Sequence, residues 1–152
     1  MRSYSCLPQK AAGGEGRTPE ESEQFQLMLN GIADLYLTAR VLILLDNSYV
    51  SRFWTMMEAW CSMLTTTVEG VRDSSEEEQR FTIMCIHNAI EEFDRPKLIK
   101  KLKSKTPDEV YEILDSPDVN MTSMKDKDLM LPVIKQINQH VQEVMQTAEL
   151  SC

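Results

Sequence analysis

Two histidines, His87 and His140, and four cysteines, Cys6, Cys61, Cys85 and Cys152, are the only imidazole and thiol groups in this 152-residue chain. No two cysteines stand in a C-x-x-C spacing. Structural zinc draws its ligands from paired spacings, so no metal centre is expected, and the thiols read as reduced and partly buried. Glycine is scarce as well, and three of the five, Gly13, Gly14 and Gly16, sit together where no strand precedes them. That context fails the requirements of a dinucleotide-binding fingerprint, and no bound cofactor is implied. The longest apolar runs, such as Val41 to Leu45, are far too short to span a bilayer, and the polar N-terminus has no signal-peptide core. Basic residues are outnumbered 16 to 24, for a net charge of -8. An acidic surface repels a polyanion, which argues against nucleic-acid binding. The expectation is a soluble, cytoplasmic protein.

What remains is ordinary globular material: 42% hydrophobic and 26% charged residues, enough for one folded domain. Residues 1–22 read as a flexible leader with a weak strand at Tyr4 to Leu7, and residues 23–150 as a single α/β domain. Phe25, Met28, Leu29, Ile32, Leu35 and Tyr36 recur at helical spacing to about Thr38. Val41 to Leu45 is apolar at every position, as in a strand buried between two helical layers. Phe53, Trp54, Met57, Trp60, Cys61 and Leu64 trace a helix over about 51–65, with Trp54 and Trp60 on different sides of it. Residues 68–80 read as an acidic, solvated loop.

Phe81 to Ile86 is a second strand, expected to lie parallel to the first. A helical stretch with Ile90, Phe93, Leu98 and Leu102 follows, with Pro96 expected to interrupt it. Thr106-Pro107-Asp108-Glu109 is a capping box that opens a short helix. Val119 to Thr122 suggests a third strand. A last helix, entered through Pro132, carries Val133, Ile134, Ile137, Val141, Val144 and Met145. Alternating strands and helices predict a three-layer, flavodoxin-like parallel sheet. The ten methionines fall mostly among these apolar stripes and read as core filling.

The segment VLILLDNSYVSRFWTMME, Val41 to Glu58, resembles the third strand and following helix of Toll/interleukin-1 receptor (TIR) domains. Ser51, Trp54 and Glu58 match that family's S-x-x-W-x-x-x-E spacing, while Thr55 stands where the family has cysteine. The resemblance implies a flavodoxin-like sheet that apparently lacks its first strands, and a role in signalling or stress response through self-association or docking to another TIR-like domain. In some members the glutamate at the position of Glu58 cleaves nicotinamide from NAD. An NAD glycohydrolase using Glu58 is therefore the alternative to an association module.

Several residues are candidates for chemistry. Ser51, Trp54 and Glu58 lie one and two turns apart on one helix face, where a carboxylate can stabilise an oxocarbenium-like ribose and an aromatic ring can stack on a base. Ligands of open α/β sheets settle beyond the carboxyl ends of the strands, here Asp46, Asn47 and Ser48, and then His87 and Asn88. Tyr49 and Arg52 stand at a helix entry, where anions are attracted. Cys85 and His87 share a strand face but have no orienting third group. Lys97, Lys100, Lys101, Lys103 and Lys105 form a basic stretch, read as a solvated helix end that could also meet an acidic partner or a membrane surface.

Overall fold

The computed structural model describes residues 18–121 and 124–149, in two compact units, residues 1–35 and 36–152. In the first unit, helix α1 (Pro19–Asn30) starts inside the stretch read as leader. Thr18 explains why: its hydroxyl accepts from the Glu21 N–H at 3.2 Å, and Glu21 accepts from the Thr18 N–H at 2.9 Å. This capping box, with proline at the first helical position, has the same form as the one read at Thr106. Helix α2 (Ile32–Thr38) follows after Gly31. The strand suggested at Tyr4 to Leu7 lies outside the described residues.

The second unit is mixed α/β. Strand β1 (Val41–Leu45) pairs in parallel with β4 (Phe81–Cys85), with Ile43 opposite Ile83. Ile86 extends the ladder by donating to the Leu45 carbonyl at 2.9 Å. The parallel pairing is as expected, but the expected depth is not. Ile43 and Leu45 are buried, whereas Leu42 on the opposite face is 57% exposed and Met84 beside it 52%. Among the described residues this sheet has two parallel strands, and the helices packed on it leave Leu42 and Met84 open to solvent.

Helix α3 (Phe53–Ser62) is the centre of the core, with Phe53, Met56, Met57, Trp60 and Cys61 fully buried. It packs against β1, against α4 (Glu91–Leu102) and against α5 (Pro107–Asp115). The Trp60 indole donates to the Lys105 carbonyl at 3.3 Å, while Trp54 stays partly exposed, so the two tryptophans divide as their spacing predicts.

Four expectations are corrected. The helix expected over about 51–65 runs from Phe53 to Ser62, so Ser51 lies outside the helix face it was to share with Trp54 and Glu58, and Leu64–Thr67 (β2) pairs antiparallel with Gly70–Asp73 (β3), in part of the stretch read as an acidic loop. Three consecutive threonines favour the pleated strand over the helix. Pro96 lies within α4 without breaking it, because it removes only the bond to the Glu92 carbonyl and both residues are exposed. The last helix is two, α6 (Met124–Lys135) and α7 (Ile137–Glu149), and Pro132 lies inside α6 rather than at an entrance. In place of a third sheet strand, Asn120 makes one parallel bridge to Arg52, and Thr122 lies outside the described residues.

Side chains fasten these pieces together. The Arg80 guanidinium donates to the Ala39 carbonyl at 3.1 Å and to the Leu64 carbonyl, tying the entry of β1 to β2. The β2–β3 hairpin docks on α7, where Asn138 Oδ1 accepts from the Val71 N–H at 2.9 Å. Asp73 Oδ1 accepts from the Ser104 N–H at 2.9 Å, holding the turn between α4 and α5, where Ser104 takes a left-handed φ of 61°.

Candidate functional site

The chain turns sharply after β1 because Asp46 caps the turn. Its Oδ1 accepts from the Ser48 N–H at 3.0 Å, from the Ser48 hydroxyl at 2.9 Å and from the Arg52 guanidinium at 3.1 Å. An aspartate that bonds two residues ahead imitates a backbone turn. The chain then makes one 3-10 turn, Tyr49–Ser51, in which the Ser51 hydroxyl donates to the Ser48 carbonyl at 2.8 Å. Arg52 is extended, and the Phe53 N–H donates to the Asn120 carbonyl at 3.1 Å. Thr55 donates to the Tyr49 carbonyl at 2.8 Å, fastening the turn to the first turn of α3.

Beneath this turn lies a cluster of ionisable groups. Tyr49 is buried, with the Arg52 guanidinium 5.6 Å from its ring centre. Glu58 is half-buried and accepts a hydrogen bond from the Tyr36 hydroxyl. Burial raises the Glu58 pKa above its ordinary 4.5, opposed by the Tyr36 hydrogen bond and the charge on Arg52. Burial, followed by the nearby Glu58 charge, also raises the Tyr49 pKa.

The candidates divide spatially. Asp46 and Asn47 line a cleft of about 270 Å³ together with Leu45, Val50, Asp94 and Lys97, at the carboxyl end of β1 where α/β sheets bind ligands. Ser48, Ser51, Trp54, Glu58 and His87 do not line it. Pockets for drug-sized ligands span roughly 300–1,000 Å³, so this cleft is small for a dinucleotide. Trp54 meets Phe53 edge to face, with ring centres 5.8 Å apart. His87 is exposed, in a left-handed turn with φ 57°. Cys85 hydrogen-bonds with Glu91, and its pKa is raised by desolvation first and then by that bond, which disfavours the thiolate of the considered Cys-His pair.

Sequence spacing missed Tyr36 and Asp94 as site residues, and read Lys97 only as part of a basic helix end. Each reaches the site from another element, so no periodicity within residues 46–58 could indicate it. The basic stretch is also dispersed: Lys97 lines the cleft, while Lys105 pairs with Glu109 at 2.9 Å. Among the described residues, no group of three or more histidine, cysteine or acidic side chains is placed to hold a metal ion, and no helix is long and apolar enough to cross a membrane. Comparison with family models, curated proteins and solved structures finds no match.

Proposed function

We propose that this chain is an association module of TIR-like, flavodoxin-like character, acting in cytoplasmic signalling or a stress response by joining itself or a similar domain. The observation that carries this reading is the uncovered face of the β1–β4 sheet. Leu42 is 57% and Met84 52% exposed, and the register sets Leu44 opposite Met84. Apolar strands with one open face, and with edges that no described residue pairs, are surfaces on which other chains assemble. Light scattering over a concentration series tests it: a mass that rises above that of one chain is expected, and one chain's mass throughout overturns self-association.

The second reading, NAD hydrolysis, has one observation in its favour. Glu58 is a half-buried carboxylate with a raised pKa beside two tyrosines and an arginine, as catalytic carboxylates often are. On this reading nicotinamide is released from NAD, and Glu58→Ala abolishes release while circular dichroism stays unchanged. Release that survives the substitution removes Glu58 from the chemistry. No release from folded protein leaves the association reading alone.

A further inference from the structure

Each residue of β1 turns its backbone N–H and C=O to one edge or the other. The Val41 N–H donates to the Arg80 carbonyl at 2.8 Å, and the Leu45 carbonyl accepts from the Ile86 N–H. Val41, Ile43 and Leu45 therefore face β4, while Leu42 and Leu44 turn their backbone groups to the outer edge. No described residue pairs with that edge. The nearest charges outside the strand are of opposite sign: Arg40 immediately before it and Asp46 immediately after it. Arg40 is exposed and forms no ion pair among the described residues. Among the described residues Asp46 uses Oδ1 for all its hydrogen bonds, which leaves Oδ2 for a further donor.

We propose that β1 pairs antiparallel with β1 of a second copy of this chain, centred on Ile43, and that Arg40 of each copy meets Asp46 of the other. This deepens the association reading and rests on it. The register follows from three independent requirements. Centring on Ile43 sets Leu42 opposite Leu44 of the other copy, so both outward-facing residues form reciprocal hydrogen-bonded pairs. The same register keeps the open-face leucines together and the buried-face residues together, since a one-residue slip would exchange the faces. It also sets Arg40 opposite Asp46 twice, by the two-fold symmetry of an isologous contact. Moving the centre to Leu42 sets Arg40 against Leu44, and moving it to Leu44 sets Asp46 against Leu42. The free edge of β4 offers no comparable match, because Arg80 at its start is already bound to the Ala39 and Leu64 carbonyls. The result is a four-stranded sheet, β4–β1–β1–β4, with a continuous apolar face.

The test is a charge exchange read by light scattering and sedimentation on the full chain. Arg40→Glu alone and Asp46→Lys alone should each weaken the dimer by about tenfold or more, because each sets like charges together twice. An equimolar mixture of the two variants should restore it. In the mixed dimer the introduced glutamate of one copy faces the introduced lysine of the other, and the remaining Arg40 faces the remaining Asp46. Leu42→Pro supplies a second arm: it removes an N–H that has no partner within the described fold, as proline is tolerated at a strand edge. It should also weaken the dimer, with circular dichroism confirming a folded chain. A wild-type dimer indifferent to Arg40→Glu and Leu42→Pro, or a mixture that stays dissociated, overturns this pairing but leaves association standing. A wild type that is monomeric at every concentration overturns both.

Discussion

Glu58 concentrates the residue-scale question, because burial and two neighbours act on its charge in different directions. Desolvation favours the protonated acid, while the Tyr36 hydroxyl and Arg52 favour the carboxylate, and desolvation prevails. With the folded pKa above the ordinary 4.5, the native state holds more protons than the unfolded chain from pH 4.5 up to the folded value. Stability from this group is therefore fully present below pH 4.5 and lost as pH rises through the folded value. Glu58→Gln keeps an acceptor for Tyr36 and removes the buried charge. The variant should melt above wild type at neutral pH, and the difference should close as pH falls to 4.5. Equal or lower melting at neutral pH would mean that the attraction to Arg52 outweighs burial.

Element boundaries depend on local chemistry that can be perturbed one residue at a time. Gly70 opens β3 at φ +120°, and a β-carbon there would lie 2.9 Å from Asn138 Cβ and Cγ, the side chain that receives the Val71 N–H. Gly70→Ala thus combines a backbone angle that L-residues rarely adopt with a clash at the hairpin–α7 contact. A loss of more than about 2 kcal/mol in urea unfolding is expected, and a loss below half of that would show that the hairpin moves freely on α7. At the start of α5, Glu109 is held down to about 2, by the Thr106 backbone N–H first and Lys105 second. A depressed folded pKa gives stability that is present above the ordinary 4.5 and is lost as pH falls towards about 2. Glu109→Gln should therefore flatten the acid limb of thermal melts between those values.

The same elements show what a sequence reader can see. The β1 and β4 runs and the Thr106 capping box were legible because each signal lies within a few adjacent residues, and the parallel pairing because a helical segment follows each apolar run. The hairpin was hidden because Leu64 continues the apolar stripe of α3, although Thr65-Thr66-Thr67 followed by Glu69-Gly70 carried the strand and turn signal. The α1 cap at Thr18 has a legible Thr-Pro-Glu-Glu signal, masked by the glycines and prolines nearby. The Glu58 cluster was half legible: Arg52 and Tyr49 are close in sequence, but Tyr36 comes from before β1.

At the scale of the whole molecule, the net charge of -8 opposes any self-association, including one aided by Arg40 and Asp46. Taking centres on the order of 40 Å apart for a domain of this length, two such charges in water repel by about 7 kcal/mol before screening. A Debye length of about 30 Å at 0.01 M salt reduces this to roughly 2 kcal/mol, and one of about 8 Å at 0.15 M removes nearly all of it. The two intermolecular Arg40–Asp46 pairs work in the other direction, since salt weakens them, but exposed pairs contribute only about 0.5 kcal/mol each. Relief of the global repulsion is the larger effect. Association should therefore tighten, by up to about tenfold, as salt is raised from 0.01 M to 0.15 M, with little change beyond. Sedimentation at the two salt concentrations measures it directly. A dimer that loosens steadily with salt would mean that a few local ion pairs dominate the contact. For Arg40→Glu, which lacks those pairs and carries two more negative charges, the tightening with salt should be steeper than for wild type.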